Sequence, residues 1–598
     1  QGGINAASGW ATATDLYTSG TLQAGINAVS GHSVYAAASA SANVAGSGLI
    51  VQPEAGGSPK TIHMNPFGSG ELSSLDFNND NIRIGYKAGG SQTYKLYSDN
   101  FKPVNVGYAA GMDSFQTAHS IFIGDSSGEE ASGIKETVVI GSGAGYHAHS
   151  LTGAIAIGHR AGKKAGVSSN TVFLGTDAGL EASGCGDSVF IGHGAGQDAF
   201  ACKGVSIGTM ASYLAKDADR QVVIGRQAGR GMVDCLANVV LGDLAAFEAS
   251  GHVYSNSIGD SAGVSTVANY VDSFGYQATN SARELDHVVA IGYQAGKGML
   301  NSQKVVAIGV NAAHAASGCG SGVFIGNHAG INVSGHSLAS NLIGHAVGGN
   351  ASHLPRANVM GASAFHDASG DYVVGLGDFV GAASSGCDMT LAIGRNAGYN
   401  MQKMEQGVFI GYEAGMSASG MYHNKSASNE FSQNDIFIGR RAGKLSNNSR
   451  GFNIAIGQDA NGYAIAAHAV YSLGPYAGYN SYGCEDTLFL GHRSGFSSWE
   501  VDFSSNLGYG THGYSSGVHG DVAIGPNAGS VTTGGTNNIQ IGANAGYSRH
   551  MDLDGVSSHR GTQLVNNRYN TMIGRGAGQD GHGQYSVLIG EYAGNEQY

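Results

Sequence analysis

The stretch Val139-Ile140-Gly141-Ser142-Gly143-Ala144-Gly145 is followed seventeen residues later by Ala156-Ile157-Gly158-His159-Arg160-Ala161-Gly162. The next copy is Phe173-Leu174-Gly175 with Ala178-Gly179, and a late one is Leu588-Ile589-Gly590 with Ala593-Gly594. An apolar triplet, a marker glycine, two variable residues and Ala-Gly thus recur with a fixed period. Such a period signals one supersecondary unit stacked many times. It argues for a quasi-one-dimensional molecule before any other function is considered.

Numbered by the marker glycine, the register runs from Gly85 to Gly590 and contains 29 turns. Nineteen of the 28 intervals are 17 residues, four are 16 and two are 18. The exceptions are 22 after Gly85, 28 after Gly411 and 32 after Gly542. Turns so evenly spaced should stack in register, with the long intervals extruded as insertion loops near 86–104, 416–435 and 547–570. The markers Gly141, Gly158, Gly175, Gly192, Gly225, Gly292, Gly326, Gly394 and Gly525 are read as structural turn glycines, permitting a bend that a Cβ would obstruct. Alanine follows three residues later in 24 of 29 turns, which marks a crowded site.

Triplets such as Val189-Phe190-Ile191 and Val239-Val240-Leu241 have strand chemistry. Successive strand residues face opposite ways. The expectation drawn here is that the outer two point inward and the middle one outward or toward a neighbouring chain. A Ser-Gly turn often follows, as at Ser183-Gly184 and Ser317-Gly318. One turn then supplies only three or four inward side chains, many of them alanine. A cross-section that thin buries little surface, so several chains sharing a core are expected. At about 4.8 Å per turn, the stack would be a rod on the order of 140 Å long.

Composition narrows the functional classes. Glycine makes up 99 of 598 residues, but with 7 prolines and no Gly-X-Y period the chain is not collagen. Charged residues are 12% and the formal net charge is −13, spread thinly, so no basic stripe offers itself to nucleic acid. No apolar run is long enough for a membrane-spanning helix. The chain starts at Gln1 without a leader, which reads as a processed product or fragment. Residues 1–81 fall outside the register and read as an N-terminal attachment or assembly module, and 82–598 as the repeat shaft.

The repeat resembles the head of trimeric autotransporter adhesins (YadA-like), and in its longer period the Ile-Gly-x-x-Ala-Gly repeats of phage tail fibres. Val522-Ala523-Ile524-Gly525, Val289-Ala290-Ile291-Gly292 and Val306-Ala307-Ile308-Gly309 carry that resemblance. It covers about residues 82 to 594. It implies an all-β, left-handed parallel β-roll or β-solenoid of about 17-residue turns, three chains wound about one axis as a homotrimer. The adhesins continue into a heptad stalk and a membrane barrel. This chain ends inside a repeat at Tyr598, which favours a virion fibre over an outer-membrane adhesin. The functional expectation is therefore a structural fibre, a phage tail fibre or related virion appendage, extracellular, without enzymatic activity or cofactor. Its expected partners are itself, a particle or neighbouring subunit held by the N-terminal module, and a host surface glycan or protein. The alternatives are a filament subunit polymerising end to end, and an adhesin head fragment.

Candidate sites follow from the register. Cys185, Cys202, Cys235, Cys319, Cys387 and Cys484 each lie ten residues after a marker. Elsewhere Leu151 or Val501 fills that slot, so the cysteines read as small buried hydrophobes. A strained disulfide between Cys185 and Cys202 is the competing reading. His147 and His149 form a His-x-His, a transition-metal site if repeated about a threefold axis, otherwise two solvated loop side chains. Asp552-Leu553-Asp554-Gly555 begins like a calcium loop but lacks the later ligands. Receptor-contact candidates are Tyr547, Arg549, His550, Arg560, Arg568, Tyr569, Tyr422, His423 and Trp499. Rings and guanidinium forks suit sugar or protein surfaces, although the loops are equally read as tolerated insertions. Glu129-Glu130 is the one Glu-Glu step, and adjacent carboxylates diverge, so no glycosidase pair is indicated.

Overall fold

The computed structural model describes residues 82–90 and 103–594, apart from 218, 284, 319, 335–339, 353–355, 403, 420–431, 448–450, 548–567 and 580–583. Four short strands between residues 34 and 77 are described as well. The chain divides into two units, Gln1–Gly251 and His252–Tyr598. Both are built as parallel β-solenoids of stacked turns about 17 residues long. No helix occurs among the described residues.

In the first unit the strand Lys60–Met64 pairs antiparallel with Ser73–Phe77, which pairs antiparallel with Ile82–Tyr86. Ile82–Tyr86 then opens the parallel ladder. Ile82 pairs with Val104, Val104 with Ile121 and Ile121 with Val138, and the same register continues to Val222 with Val239. In the second unit the ladder runs from Asn256 with Asp272 to Thr571 with Val587. It closes directly across the two long intervals, Val408 pairing with Ile436 and Ile539 with Thr571. Most of the intervening residues, and all of 91–102, lie outside the described residues, as does much of 1–81.

The triplet faces the opposite way from the expectation drawn from its chemistry. The middle residue is the buried one: Phe122, Val139, Ala156, Phe173 and Phe190 are essentially inaccessible. The outer two are half-buried or exposed, as in Val138–Ile140 and Ile155–Ile157. The lumen is too narrow to take two β-branched side chains from every strand. It takes one, and fills the rest of the cross-section with small residues. The Gly175 turn is typical, with Phe173, Ala178, Ala182 and Cys185 all at 0% exposure.

Two glycine columns explain the repeated phrase. A Cβ on the marker Gly292 would lie 2.4 Å from the carbonyl oxygen of the next marker, Gly309, and its φ is +135°. Marker glycines therefore allow the turns to touch backbone to backbone, which goes beyond permitting a bend. The glycine four residues later makes room for the strand's aromatic ring. A Cβ on Gly179 would lie 2.0 Å from Phe173 ring carbons, and one on Gly196 2.2 Å from Phe190. In some turns with a small strand residue this site carries a hydroxyl instead: Ser206 hydrogen-bonds Ser212 at 2.8 Å, and Ser273 hydrogen-bonds Thr279 at 2.5 Å.

Polar groups inside the lumen form their own ladder. Thr171 Oγ1 donates to the Cys185 carbonyl, Ser188 Oγ to the Cys202 carbonyl and Thr487 Oγ1 to the Val501 carbonyl, at 2.7–2.9 Å. Farther along, the Asn538 backbone N–H donates to Asp521 Oδ1 at 2.7 Å, and the Asn570 N–H to Asn538 Oδ1 at 3.0 Å. These small polar residues can line the core because each finds a backbone partner on a neighbouring turn.

Candidate functional site

The largest described concentration of surface rings lies on four successive turns of the second unit, those of Gly457, Gly474, Gly491 and Gly508. Tyr463 packs edge-on against Tyr479 at 5.4 Å, Tyr479 stacks on Phe496 at 5.4 Å, and Phe496 meets Tyr514 at 5.5 Å. A second file, Tyr476–His492–Tyr509, is linked at 5.9 and 5.1 Å and joins the first through Tyr476 and Tyr479 at 5.8 Å. Arg493 lies over the Phe496 ring at 5.6 Å. The solenoid generates these files because equivalent residues of adjacent turns sit about one strand spacing apart. Ring-on-ring contacts then stabilise the stack while leaving Tyr509 and Tyr514 about half exposed.

Trp499 opens the strand Trp499–Asp502, which pairs with Ser516–His519. Its ring is 56% exposed and rests against Tyr482 of the preceding turn at 5.0 Å. Phe503 is 66% exposed. Trp499 is among the receptor-contact candidates named from the sequence, whereas Tyr476, Tyr479, Tyr482, Tyr509 and Tyr514 are not. The signal that finds them is aromatic recurrence at the same or a neighbouring offset from consecutive markers.

The remaining candidates are placed as follows. Arg568 and Tyr569 are exposed, and Tyr569 stacks on Tyr585 at 5.1 Å. Tyr547 closes its turn, its N–H donating to the Asn544 carbonyl. Arg549, His550, Arg560, Tyr422, His423, Asp552 and Asp554 lie outside the described residues. His147 and His149 take separate partners on the preceding turn. His147 Nε2 lies 3.0 Å from Glu130 Oε2, and His149 Nδ1 lies 2.7 Å from Ser132 Oγ. His147 has φ +53°, so the segment is not extended and the two rings do not converge. No group of three or more His, Cys, Asp or Glu side chains is arranged to hold a metal ion among the described residues.

Cys185, Cys202, Cys235, Cys387 and Cys484 are buried free thiols, and Cys319 lies outside the described residues. Burial pushes the Cys484 thiol up to about 12. The Cys202 thiol is raised by its hydrogen bond with Cys185 and by burial. The same hydrogen bond with Cys202 lowers the Cys185 thiol, whereas Cys202 and Cys484 are held as neutral thiols at neutral pH.

The other surface of note is the outward side of the strands. The residue just before the marker is Ile, Leu, Val, Phe or Met in all 29 turns. The residue two positions earlier is aliphatic or aromatic in 23 of 29, including all ten turns of the first unit. Ile155, Leu174, Val222, Ile224, Ile291, Leu376, Ile456 and Ile524 are 37–41% exposed. Each unit thus presents two rows of partly exposed aliphatic side chains along its strands, and large contiguous apolar surfaces are unusual on a monomer. Fold and surface together define a parallel β-solenoid repeat protein. The chain matches no known protein family and no curated protein.

Proposed function

We propose that the chain is a structural fibre protein, a phage tail fibre or related virion appendage, and that three copies share one core along the aliphatic faces of their strands. The observation that carries this reading is the two-row aliphatic face. In a lone chain it would stand in water along the length of each unit. Against two other copies it would supply the apolar burial that the alanine-rich lumen lacks. A closed symmetric assembly is the usual way for identical chains to bury such a face. The resemblance to YadA-like head repeats supplies the number three and the left-handed sense. The aromatic files around Trp499 and Tyr509 are the part of the surface best suited to a host glycan or protein, since rings offer apolar faces and Tyr hydroxyls a polar edge.

Electron microscopy of the purified full chain tests the reading. Discrete rods of uniform width, thicker than a single solenoid, are expected. Open-ended filaments would replace it with a polymerising subunit, and single-chain particles would remove the shared core. A second, independent check is binding to host surface material. Substituting Trp499→Ala and Tyr509→Ala should weaken adhesion at least about tenfold while leaving the rods intact, at a cost typical of aromatic anchors.

A further inference from the structure

The aliphatic face has a weakness that follows from its regularity. Every turn offers the same pair of apolar side chains, so two copies pressed together could slip by one turn, about 4.8 Å, and lose very little contact. A periodic apolar interface gives affinity without register. Something else must set the register if the assembly is to be uniform.

Six turns break the pattern at the outer row, all in the second unit: Asn256, Asp272, Asn341, Asn358, Ser505 and Thr571. Four of them form two pairs on adjacent turns. Asn256 pairs with Asp272 in the ladder and donates Nδ2–H to Asp272 Oδ1 at 2.6 Å. Asn341 pairs with Asn358 and donates to its Oδ1 at 2.7 Å. Each pair is flanked by apolar positions, Val289 next to Asp272 and Val323 next to Asn341. Each bond uses one donor and one acceptor, and the second amide hydrogen and remaining carboxylate or carbonyl lone pairs face away from the lumen.

We propose that Asn256–Asp272 and Asn341–Asn358 are register clamps for the association of this chain with further copies of itself. The inference rests on the shared-core reading given above. In register, the second Nδ2–H of Asn256 in one copy donates to the Asp272 carboxylate of the next, and the Asn341 and Asn358 amides, each both donor and acceptor, pair with their counterparts. One turn out of register, one copy's Asp272 and Asn358 fall level with Val289 and Val374 of its neighbour and lose their polar partners. A buried polar group without a partner is costly, and a buried unpaired charge more so. The same logic lets one polar residue fix the alignment of an otherwise apolar coiled coil. It works by penalising the wrong pairing more than by strengthening the right one. The first unit, with no interruption in its outer row, supplies adhesion alone.

Cysteine cross-linking of the full chain tests this. Two versions, Val289→Cys and Val306→Cys, are co-produced and oxidised. These positions occupy neighbouring turns and become level with one another only after a one-turn slip. With the four polar residues in place, like positions should link and unlike positions should not. Replacing all four by valine (N256V, D272V, N341V, N358V) should raise unlike links about tenfold or more, with the melting temperature unchanged or higher. Unlike links equally rare in the valine variant, or already abundant beforehand, would overturn the clamps while leaving the shared core standing. Absence of any link together with a single-chain native mass would overturn the shared core itself, and the clamps with it.

Discussion

Six or so residues of every turn adopt positive φ, and many are not glycine. Asp177, Lys164, Leu214 and Val531 sit at +54° to +60°. For an L side chain each such residue costs roughly 1–2 kcal/mol, and a β-branched one is the least suited. Val531 is half-buried, and its N–H is held by the Gly513 carbonyl at 2.9 Å. Val531→Gly should therefore raise stability by about 1 kcal/mol, read as a higher melting temperature. An unchanged or lower value would mean the surrounding turn does not impose that conformation.

Buried imidazoles set the response to acid at the same scale. Burial pushes His252 and His512 down to about 4. Thr266 gives its hydroxyl proton to the Gly263 carbonyl at 2.8 Å, so it accepts from His252 Nε2–H at 2.5 Å; that bond orients the ring, and burial is what keeps it neutral. Between its unfolded value near 6.5 and about 4, the unfolded chain binds the extra proton. Stability is thus full above that window and is lost as pH falls through it, by up to about 3 kcal/mol per ring. Asp521, pushed by burial up to about 6, has the opposite sign: its folded form binds the extra proton, so stability grows as pH falls from 6 toward 4. It lies 3.8 Å from His512, and those two contributions largely offset. The net acid loss should then come from His252. Melting scans from pH 7 to 4 should show a decline that His252→Gln flattens; the same decline in the variant would assign the effect elsewhere.

At the scale of the strand and its turn, the unit is a lock between one large and one absent side chain. Phe173 occupies the space over Gly179. Gly179→Ala should cost about 3 kcal/mol or more, from overpacking and its φ of +62°. Adding Phe173→Ala should recover part of that loss, so that the double variant is more stable than the two single effects sum to. Simple additivity in denaturant titrations would show that ring and glycine do not share the space. The register, the parallel stacking and the buried cysteine slot are legible in the sequence because spacing alone encodes them. The facing of the triplet is not. Val189-Phe190-Ile191 is apolar at all three positions, so alternation gives no direction, and only lumen width decides that Phe190 turns in. The aromatic files are half legible, since Tyr479 and Phe496 fall at one offset but Tyr463 and Tyr514 are shifted by one residue. The hydrogen bonds of His147 and His149 depend on a left-handed φ at His147 that composition does not announce.

For the molecule as a whole, the decisive quantity is how much of the aliphatic face is in water. Ile157, Ile291, Ile308 and their equivalents repeat at every turn, half-buried or exposed among the described residues. Placing a charge there, as in Ile308→Asp, should be nearly silent for a free chain and should weaken a shared core strongly, because an unpaired buried carboxylate is costly. The measurement that bears most directly on this is the native mass of the full chain at micromolar concentration. A mass three times that of the chain is the expected result, falling toward the single-chain mass in Ile308→Asp. A single-chain mass for the unaltered protein would contradict the shared core.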